Sequence, residues 1–314
     1  MKDTESFIQE KVEKIKEVDG KAVVGCSGGV DSTVSAVLAS EALGEDLLAV
    51  YVDTGYMRKD ETEKIDNILE DMGVNHVVID ARDEFYEAME GVVDPEEKRK
   101  IIGNKFIEVF EREAEKFDAD YLVQGTIAPD WIESGDEKRD TIKSHHNVGG
   151  LPEEMGLDLI EPLQDLYKDE VREVARELGL STAEKQPFPG PGLAIRVIGE
   201  ATPEKTKIVR EACHIVETEI EEAAEKGKMD RPWQYFAVLL PVKTVGVQGD
   251  KRAYGYTIAV RAVQSLDAMT ASFSRIPPEI MGRISSKITN EMKDEVNRVV
   301  YDITNKPPGT IEWE

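Results

Sequence analysis

The sequence predicts an α/β fold, a doubly wound parallel sheet followed by a smaller α+β domain. Three observations carry this. Short apolar runs at Ala22–Val24, Leu47–Val52, Val74–Ile79 and Tyr121–Val123 alternate with helical stretches, the order that builds a parallel sheet covered on both faces. A dense proline–glycine cluster, Pro187–Gly192, then interrupts the chain. Beyond it strands and helices recur in a less regular order, as in an α+β unit.

Taken in order, residues 4–18 set Phe7, Ile8, Val12, Ile15 and Val18 on one face of an amphipathic helix. The stretch V-V-G-C-S-G-G-V-D-S-T, Val23–Thr33, then ends a strand in a serine and two glycines, and helical spacing resumes with Val30, Val34, Val37 and Leu38. Glycines let backbone N–H groups approach a ligand, and a helix N-terminus adds donors and partial positive charge, so the loop suits phosphate. It is not a Walker A loop, because no lysine follows Gly28 and Gly29. Asp31 stands where the helix opens. A carboxylate there fits a Mg²⁺ shared with phosphate oxygens; it equally fits a plain βα turn with an acid on the helix dipole.

Leu47–Val52 runs into D-T-G at Asp53, a helix spans 60–72 and another 95–116, and Tyr121–Val123 leads into Q-G-T at Gln124. Ser27, Asp53 and Gln124 thus all follow the carboxyl ends of strands, where open α/β sheets bind ligands. Residues 127–157 break the rhythm yet carry Asp130, Glu133, Lys143, His145 and His146, which reads as a lid. The adjacent histidines lack zinc-site spacing. A helix at 168–178 closes the first domain, so the boundaries are 1–188 and 189–314. G-P-G-L-A-I within the cluster lacks the final glycine of a dinucleotide fingerprint. The second domain reads as a strand at Leu193–Ile198, a helix at 203–225, strands at Phe236–Leu240 and Tyr256–Val263, a helix near 277–293 and a strand at Val299–Ile303. Ile311 and Trp313 are then available to anchor the tail.

With 40% hydrophobic and 33% charged residues the composition is that of a globular protein. A net charge of −25 and a pI near 4.6 argue against nucleic acid or anionic membrane as partner. Such acidity also suits a salty cytoplasm. Two cysteines, Cys26 and Cys213, make no disulfide framework, and Cys26 reads as a small buried residue rather than a nucleophile. No leader and no apolar run of membrane length is evident, so a cytoplasmic enzyme is expected.

S-G-G-V-D-S at 27–32 resembles the PP-loop of the ATP pyrophosphatases, which split ATP between its α and β phosphates. Longer segments resemble one family among them, GMP synthase: K-R-K-I-I-G at 98–103, Q-G-T-I at 124–127, P-D-x-I-E-S at 129–134, I-K-S-H-H-N-V-G-G-L-P at 142–152, P-F-P-G-P-G-L at 187–193, V-V-Y-D-I at 299–303 and the tail K-P-P-G-T-I-E-W-E. Gly309 departs from the alanine usual in that tail. The resemblance implies a PP-loop, adenine nucleotide alpha hydrolase-like first domain and a C-terminal dimerisation domain. It further implies that XMP is adenylated by ATP, with Mg²⁺ as cofactor, and that ammonia displaces AMP to give GMP. By matching positions, Ser27, Gly28, Gly29, Val30, Asp31, Ser32, Val52, Asp53, Gly55, Gln124, Gly125 and Thr126 would bind ATP, with Asp31 on the metal. Asp130, Glu133, Lys143, His145 and His146 would be catalytic lid residues, and Arg99, Gln234, Arg298, Lys306 and Glu312 would bind XMP. The phosphate-loop motif starts too early for an amidotransferase domain before it, so the chain is expected to be a separate synthetase subunit fed ammonia by a glutaminase partner. Rival readings are NAD synthetase and a nucleotide sensor without turnover.

Overall fold

The computed structural model describes residues 3–128, 156–248, 251–266 and 268–314. The chain divides into two compact units: Met1–Thr54, Asp60–Arg82 and Gly103–Lys185 form the first, and Gly55–Lys59, Asp83–Ile102 and Gln186–Glu314 the second. Two short segments of the N-terminal half therefore pack with the second unit, which sequence order does not reveal.

The first unit holds helix α1 (Thr4–Ile15), strand β1 (Ala22–Gly25), helix α2 (Val30–Leu43), strand β2 (Leu47–Asp53), helix α3 (Glu61–Asp71) and strand β3 (His76–Asp80). Next come α4 (Arg82–Ala88), which belongs to the second unit from Asp83 on, and α5 (Pro95–Phe117), which does so up to Ile102; β4 (Tyr121–Val123), β5 (Asp158–Ile160) and α6 (Lys168–Glu177) follow in the first unit. The five strands are all parallel in the order β3–β2–β1–β4–β5. The order reverses at β1, so the crevice lies where β1 and β4 end side by side. Val24 pairs with Ala49 on one side and Val123 on the other. Ala22, Val23 and Val24 are buried, and α2 buries Val30 and every residue from Thr33 to Ala39. A helix apolar on nearly all sides lies inside the unit and holds its N-terminus at a fixed place.

The second unit holds α7 (Pro203–Glu225), β6 (Gln234–Gln248), β7 (Lys251–Gln264), the short β8 (Ser272–Phe273), α8 (Pro278–Glu291) and β9 (Val296–Asp302). β6 and β7 form a long antiparallel hairpin, and β7 carries β8 antiparallel and β9 parallel on its other edge. α7 and α8 pack on this sheet and on each other. Thr202 caps α7, its hydroxyl accepting from the Lys205 N–H, and Pro203 opens the helix.

The parallel sheet and the mixed second unit are as the sequence predicts. The structure differs on particular elements. Leu193–Ile198 is not a strand: residues Gly192–Arg196 form a 3₁₀ turn, and only Val197 bridges to Leu239. The run is apolar because it is buried all round, which looks the same in a strand and a turn. α4 and β5 were not expected; three residues, Asp158–Ile160, are too few to show a period. The hairpin extends well beyond Phe236–Leu240 and Tyr256–Val263; in its far part the apolar Val245, Val247 and Tyr254 stand on the exposed face, so no buried apolar run marks the strands there. Among the described residues no helix is long and apolar enough to cross a membrane.

Candidate active site

The loop after β1 is knit by its own side chains. Ser27 and Ser32 hydroxyls lie 3.1 Å apart, Ser32 Oγ accepts from the Ser27 N–H at 3.2 Å, and Ser27 Oγ accepts from the Gly29 N–H at 3.3 Å. Thr33 Oγ1 donates to Gly29 O at 2.8 Å. Gly28 has φ +75°, and a Cβ there would lie 2.8 Å from Glu61 Oε1, so only glycine fits. Lys185 Nζ reaches the same place, donating to Gly28 O at 2.9 Å and pairing with the buried Glu61. The loop is thus held from behind by a Lys–Glu pair while Ser27 faces outward, exposed.

The loop after β4 comes close to α2. A Cβ on Gly125 would lie 3.0 Å from Asp31 C and 3.1 Å from Asp31 O, so glycine lets Gln124–Thr126 lie against the helix start. The Gln124 N–H donates to Ile160 O at 2.9 Å, which fixes the loop to β5. Two polar atoms here are buried without a hydrogen-bond partner among the described residues, Asp31 Oδ1 and Thr126 Oγ1. Leaving a buried polar atom unpaired is costly, and these two belong to the start of α2 and to the loop after β4 that lies against it. Asp31 Oδ2 accepts from Lys168 Nζ. After β2, Asp53 Oδ2 accepts from Thr62 Oγ1 at 2.9 Å, and Asp53 O accepts from the Ala81 N–H at 3.0 Å. Val52 is buried in β2, and Gly55, at φ +77°, belongs to the second unit, its carbonyl accepting from Tyr86 Oη at 2.7 Å and from Arg210.

Asp31 fits a Mg²⁺ that arrives on phosphates, since one carboxylate oxygen is engaged by Lys168 and the other has no hydrogen-bond partner. No group of three or more His, Cys, Asp or Glu side chains able to hold a metal occurs among the described residues. Cys26 is fully buried beside the loop, and burial pushes its thiol up to about 12, far from thiolate character at neutral pH.

The second unit gathers the C-terminal tail around buried cations. Arg261 donates to three tail carbonyls, Ile311 O at 3.0 Å, Thr304 O at 2.7 Å and Thr310 O at 2.8 Å, and pairs with Asp302 at 2.9 Å. Lys98 donates to Ala194 O at 3.1 Å and Val197 O at 2.8 Å and pairs with Glu314. Burial lowers the Lys98 pKa, with Glu314 opposing. Glu312 accepts from Arg196 and, at 2.9 Å, from Gln234. Burial is the largest influence on Arg196 and works against its charge, but Glu312, Cys213 and Glu217 together outweigh it and the Arg196 pKa is raised. Ile311 is buried and Trp313 Nε1 donates to Asp302 at 3.0 Å. Of the residues expected to bind XMP, Gln234 and Glu312 are therefore in direct contact. Arg99 donates to Glu314 O, Arg298 is exposed on β9 with Nε 3.3 Å from Thr244 Oγ1, and Lys306 Nζ donates to Ala268 O at 2.9 Å. Lys306 also lines a cavity of about 510 Å³ with Gln264, Thr270 and Asn305. Asp130, Glu133, Lys143, His145 and His146 lie outside the described residues.

A family model for the GMP synthase C terminal domain matches residues 221–313, and one for NAD synthase matches residues 1–115. Over its whole length the chain is 58% identical to one named subunit of the glutamine-hydrolyzing GMP synthase of Thermoplasma acidophilum, covering 99% of both chains. It is 60% identical to the same subunit of Thermococcus kodakarensis, again over 99% of both. The chain belongs to this GMP synthase family. GMP synthase (glutamine-hydrolyzing) of Lactobacillus acidophilus is 54% identical over 98% of this chain and 60% of its own length. The NAD synthase match stops at residue 115, within the parallel-sheet unit, whereas the GMP synthase likeness runs to the tail.

Several residues at these sites had no sequence signal. Lys168 meets Asp31 across 137 positions, and Lys185 meets Glu61 across 124. Neither belongs to a local pattern. Lys98 opens the K-R-K-I-I-G segment, so attention to that motif would have found it; Arg196 follows directly on P-F-P-G-P-G-L-A-I.

Proposed function

We propose that this chain is the synthetase subunit of a two-subunit GMP synthase. A carbonyl oxygen of XMP attacks the α-phosphorus of ATP, pyrophosphate leaves, and ammonia then displaces AMP from the adenylyl-XMP to give GMP. The observation that supports the ATP half is the buried, unpartnered Asp31 Oδ1 in the Ser27–Ser32 loop, with Thr126 Oγ1, also unpartnered, on the adjoining loop after β4. Family membership supports the XMP half.

The Ser27–Ser32 loop and the α2 N-terminus would cradle the pyrophosphate portion with backbone donors and hydroxyls. Val52, Asp53 and Gly55 would face the adenosine, and Gln124, Gly125 and Thr126 would close the other side. Asp31 would hold Mg²⁺, which when bound supplies neutralisation of phosphate charge. Asp130 and Glu133 would take the proton that ammonium must lose before attack, and Lys143, His145 and His146 would meet phosphate charge. On the second substrate, Glu312 and Gln234 would read the base, and Arg99, Arg298 and Lys306 would meet the nucleotide phosphate. The functional division is residues 1–188 as ATP-pyrophosphatase domain and 189–314 as dimerisation and XMP-binding domain.

The test is AMP and pyrophosphate formation from ATP by the isolated chain. Turnover should require both XMP and ammonium, and glutamine without a second protein should support none. Equal turnover with a nicotinate dinucleotide in place of XMP, or none under any condition, would overturn the reading. The glutaminase that supplies ammonia in the cell would be a separate subunit, in keeping with the naming of the relatives as one subunit of the enzyme.

We also infer a homodimer through the second unit. The far part of the β6–β7 hairpin exposes Val242, Val245, Val247 and Tyr254, and Val300 of β9 and Ile303 just after it add to this. Val245 sits directly opposite Tyr254 in the ladder. An exposed apolar surface of this kind favours a partner of the same chain, with burial on the order of 2,000 Å² for an obligate pair. Light scattering at micromolar concentration should give twice the 35.0 kDa chain mass; a fully active monomer would exclude it.

A further inference from the structure

The proline–glycine cluster Pro187–Gly192 has no part in the chemistry above, yet the structure builds a specific object from it. Gly192, at φ +63°, turns the chain so closely that the Leu193 N–H donates to Tyr56 O at 2.7 Å. The 3₁₀ turn that follows ends on Arg196, which is 0% exposed. Its guanidinium lies 5.1 Å from the ring centre of Phe188, a residue of the cluster itself, and 4.2 Å from that of Phe236 on β6. From this aromatic slot Nε donates to Glu312 Oε2 at 3.2 Å and Nη2 to Glu312 Oε1 at 2.8 Å.

A plain tail clamp is the simpler explanation of a buried ion pair. The tail, however, is already fastened on both sides of Glu312. Arg261 holds the carbonyls of Thr304, Thr310 and Ile311, while Lys98 and the Gly199 N–H hold Glu314. Arg196 instead grips the side-chain carboxylate of Glu312, whose own side chain is 16% exposed. A carboxylate offers about four lone-pair sites. Oε1 receives Arg196 Nη2 and Gln234 Nε2, and Oε2 receives Arg196 Nε. One acceptor site on Oε2 is left, in a plane fixed by a rigid fork.

We propose that Arg196 is a positioning residue for recognition of the purine base, acting through Glu312, whose carboxylate it orients so that one acceptor site meets an N–H of XMP. This rests on the reading of Glu312 as a base-contacting residue. The cluster Pro187–Gly192 then serves as the support that delivers Arg196 and one wall of its slot.

The experiment is ammonium-driven kinetics with XMP and ATP varied separately, with calorimetric binding of XMP alone, on the full chain and on Glu312→Gln, Arg196→Lys, Arg196→Met and the double variant Arg196→Lys/Glu312→Gln. A lysine keeps the charge but loses the fork, so Arg196→Lys should raise KM and Kd for XMP about five- to tenfold, and Arg196→Met about thirtyfold or more. KM for ATP should stay within about twofold and kcat at saturating XMP within about threefold, because the lost contact is made by bound XMP before and during reaction. The double variant should be no worse than Glu312→Gln alone, since both changes remove one interaction. Should Arg196→Met fail to fold, Arg196→Lys carries the same test. If Glu312→Gln weakens XMP while a folded Arg196→Lys does not, the positioning role is overturned and the base-reading role stands. If Glu312→Gln leaves XMP affinity unchanged, the reading of Glu312 fails and the proposal with it. A loss of kcat or stability in Arg196→Lys at unchanged XMP affinity would make Arg196 a structural clamp only.

Discussion

Asp31→Asn is expected to lower adenylation of XMP by about two orders of magnitude or more, the scale of losing one well-placed electrostatic stabiliser at a reacting centre. The change keeps the size of the side chain and its place at the opening of α2, but replaces a carboxylate whose Oδ1 is buried and unpartnered. The removed charge is the carboxylate proposed to hold Mg²⁺ beside the phosphate loop. Lys168, now facing an amide, adds an unpaired cation near incoming phosphates, so ATP binding is expected to survive better than the chemical step. XMP binding, for which only residues of the other unit are proposed, should be unchanged. Pyrophosphate release at saturating ATP and XMP, with calorimetric XMP binding in parallel, measures both halves. An activity within tenfold of the parent would show that Asp31 is only a favourable charge on a helix dipole.

Gly192→Ala is expected to destabilise the second unit by about 3 kcal/mol or more, near the upper end of single substitutions. The backbone has φ +63°, where a side chain costs roughly 1–2 kcal/mol in local sterics. The added methyl would also stand 2.3 Å from Tyr56 O, a backbone carbonyl that cannot swing aside as a flexible side chain would. That carbonyl already accepts from the Leu193 N–H, so moving it breaks the bond that seats the 3₁₀ turn. Arg196, at the end of the turn, would shift with it. Gly190→Ala is the matched control, because a Cβ there meets nothing within 4 Å and its φ is ordinary. Denaturant unfolding should separate the two variants by their midpoints. A Gly192→Ala midpoint equal to that of Gly190→Ala would mean the turn can relax, and the close approach to Tyr56 would carry no energetic weight.

The acidity of the chain takes on a different meaning once the fold is known. A net charge of −25 describes the outer field. The cations buried in the second unit, Lys98, Arg196 and Arg261, are each matched by carboxylates or carbonyls of the tail segment 302–314. The tail is thereby part of the interior charge balance and not a loose end.

By itself the sequence determined the parallel-sheet architecture, the strand–loop–helix at Ser27–Ser32, the strand ends at Asp53 and Gln124 and the helices on either side. These features are local: a two- or three-to-four-residue period, a pair of glycines and a helix start all fit inside a short window. The contiguous motifs likewise sufficed for the family. The tertiary structure alone decided that Asp31 meets Lys168, that Glu61 and Lys185 support Gly28, that the segments 55–59 and 83–102 pack with the second unit, and that Leu193–Arg196 is a buried turn carrying an arginine to Glu312. Burial of a charge is decided by whether an opposite charge can be brought to it, over 116 positions for Arg196 and Glu312. No local period encodes such a meeting, because desolvation and pairing are settled only when distant elements close around the group.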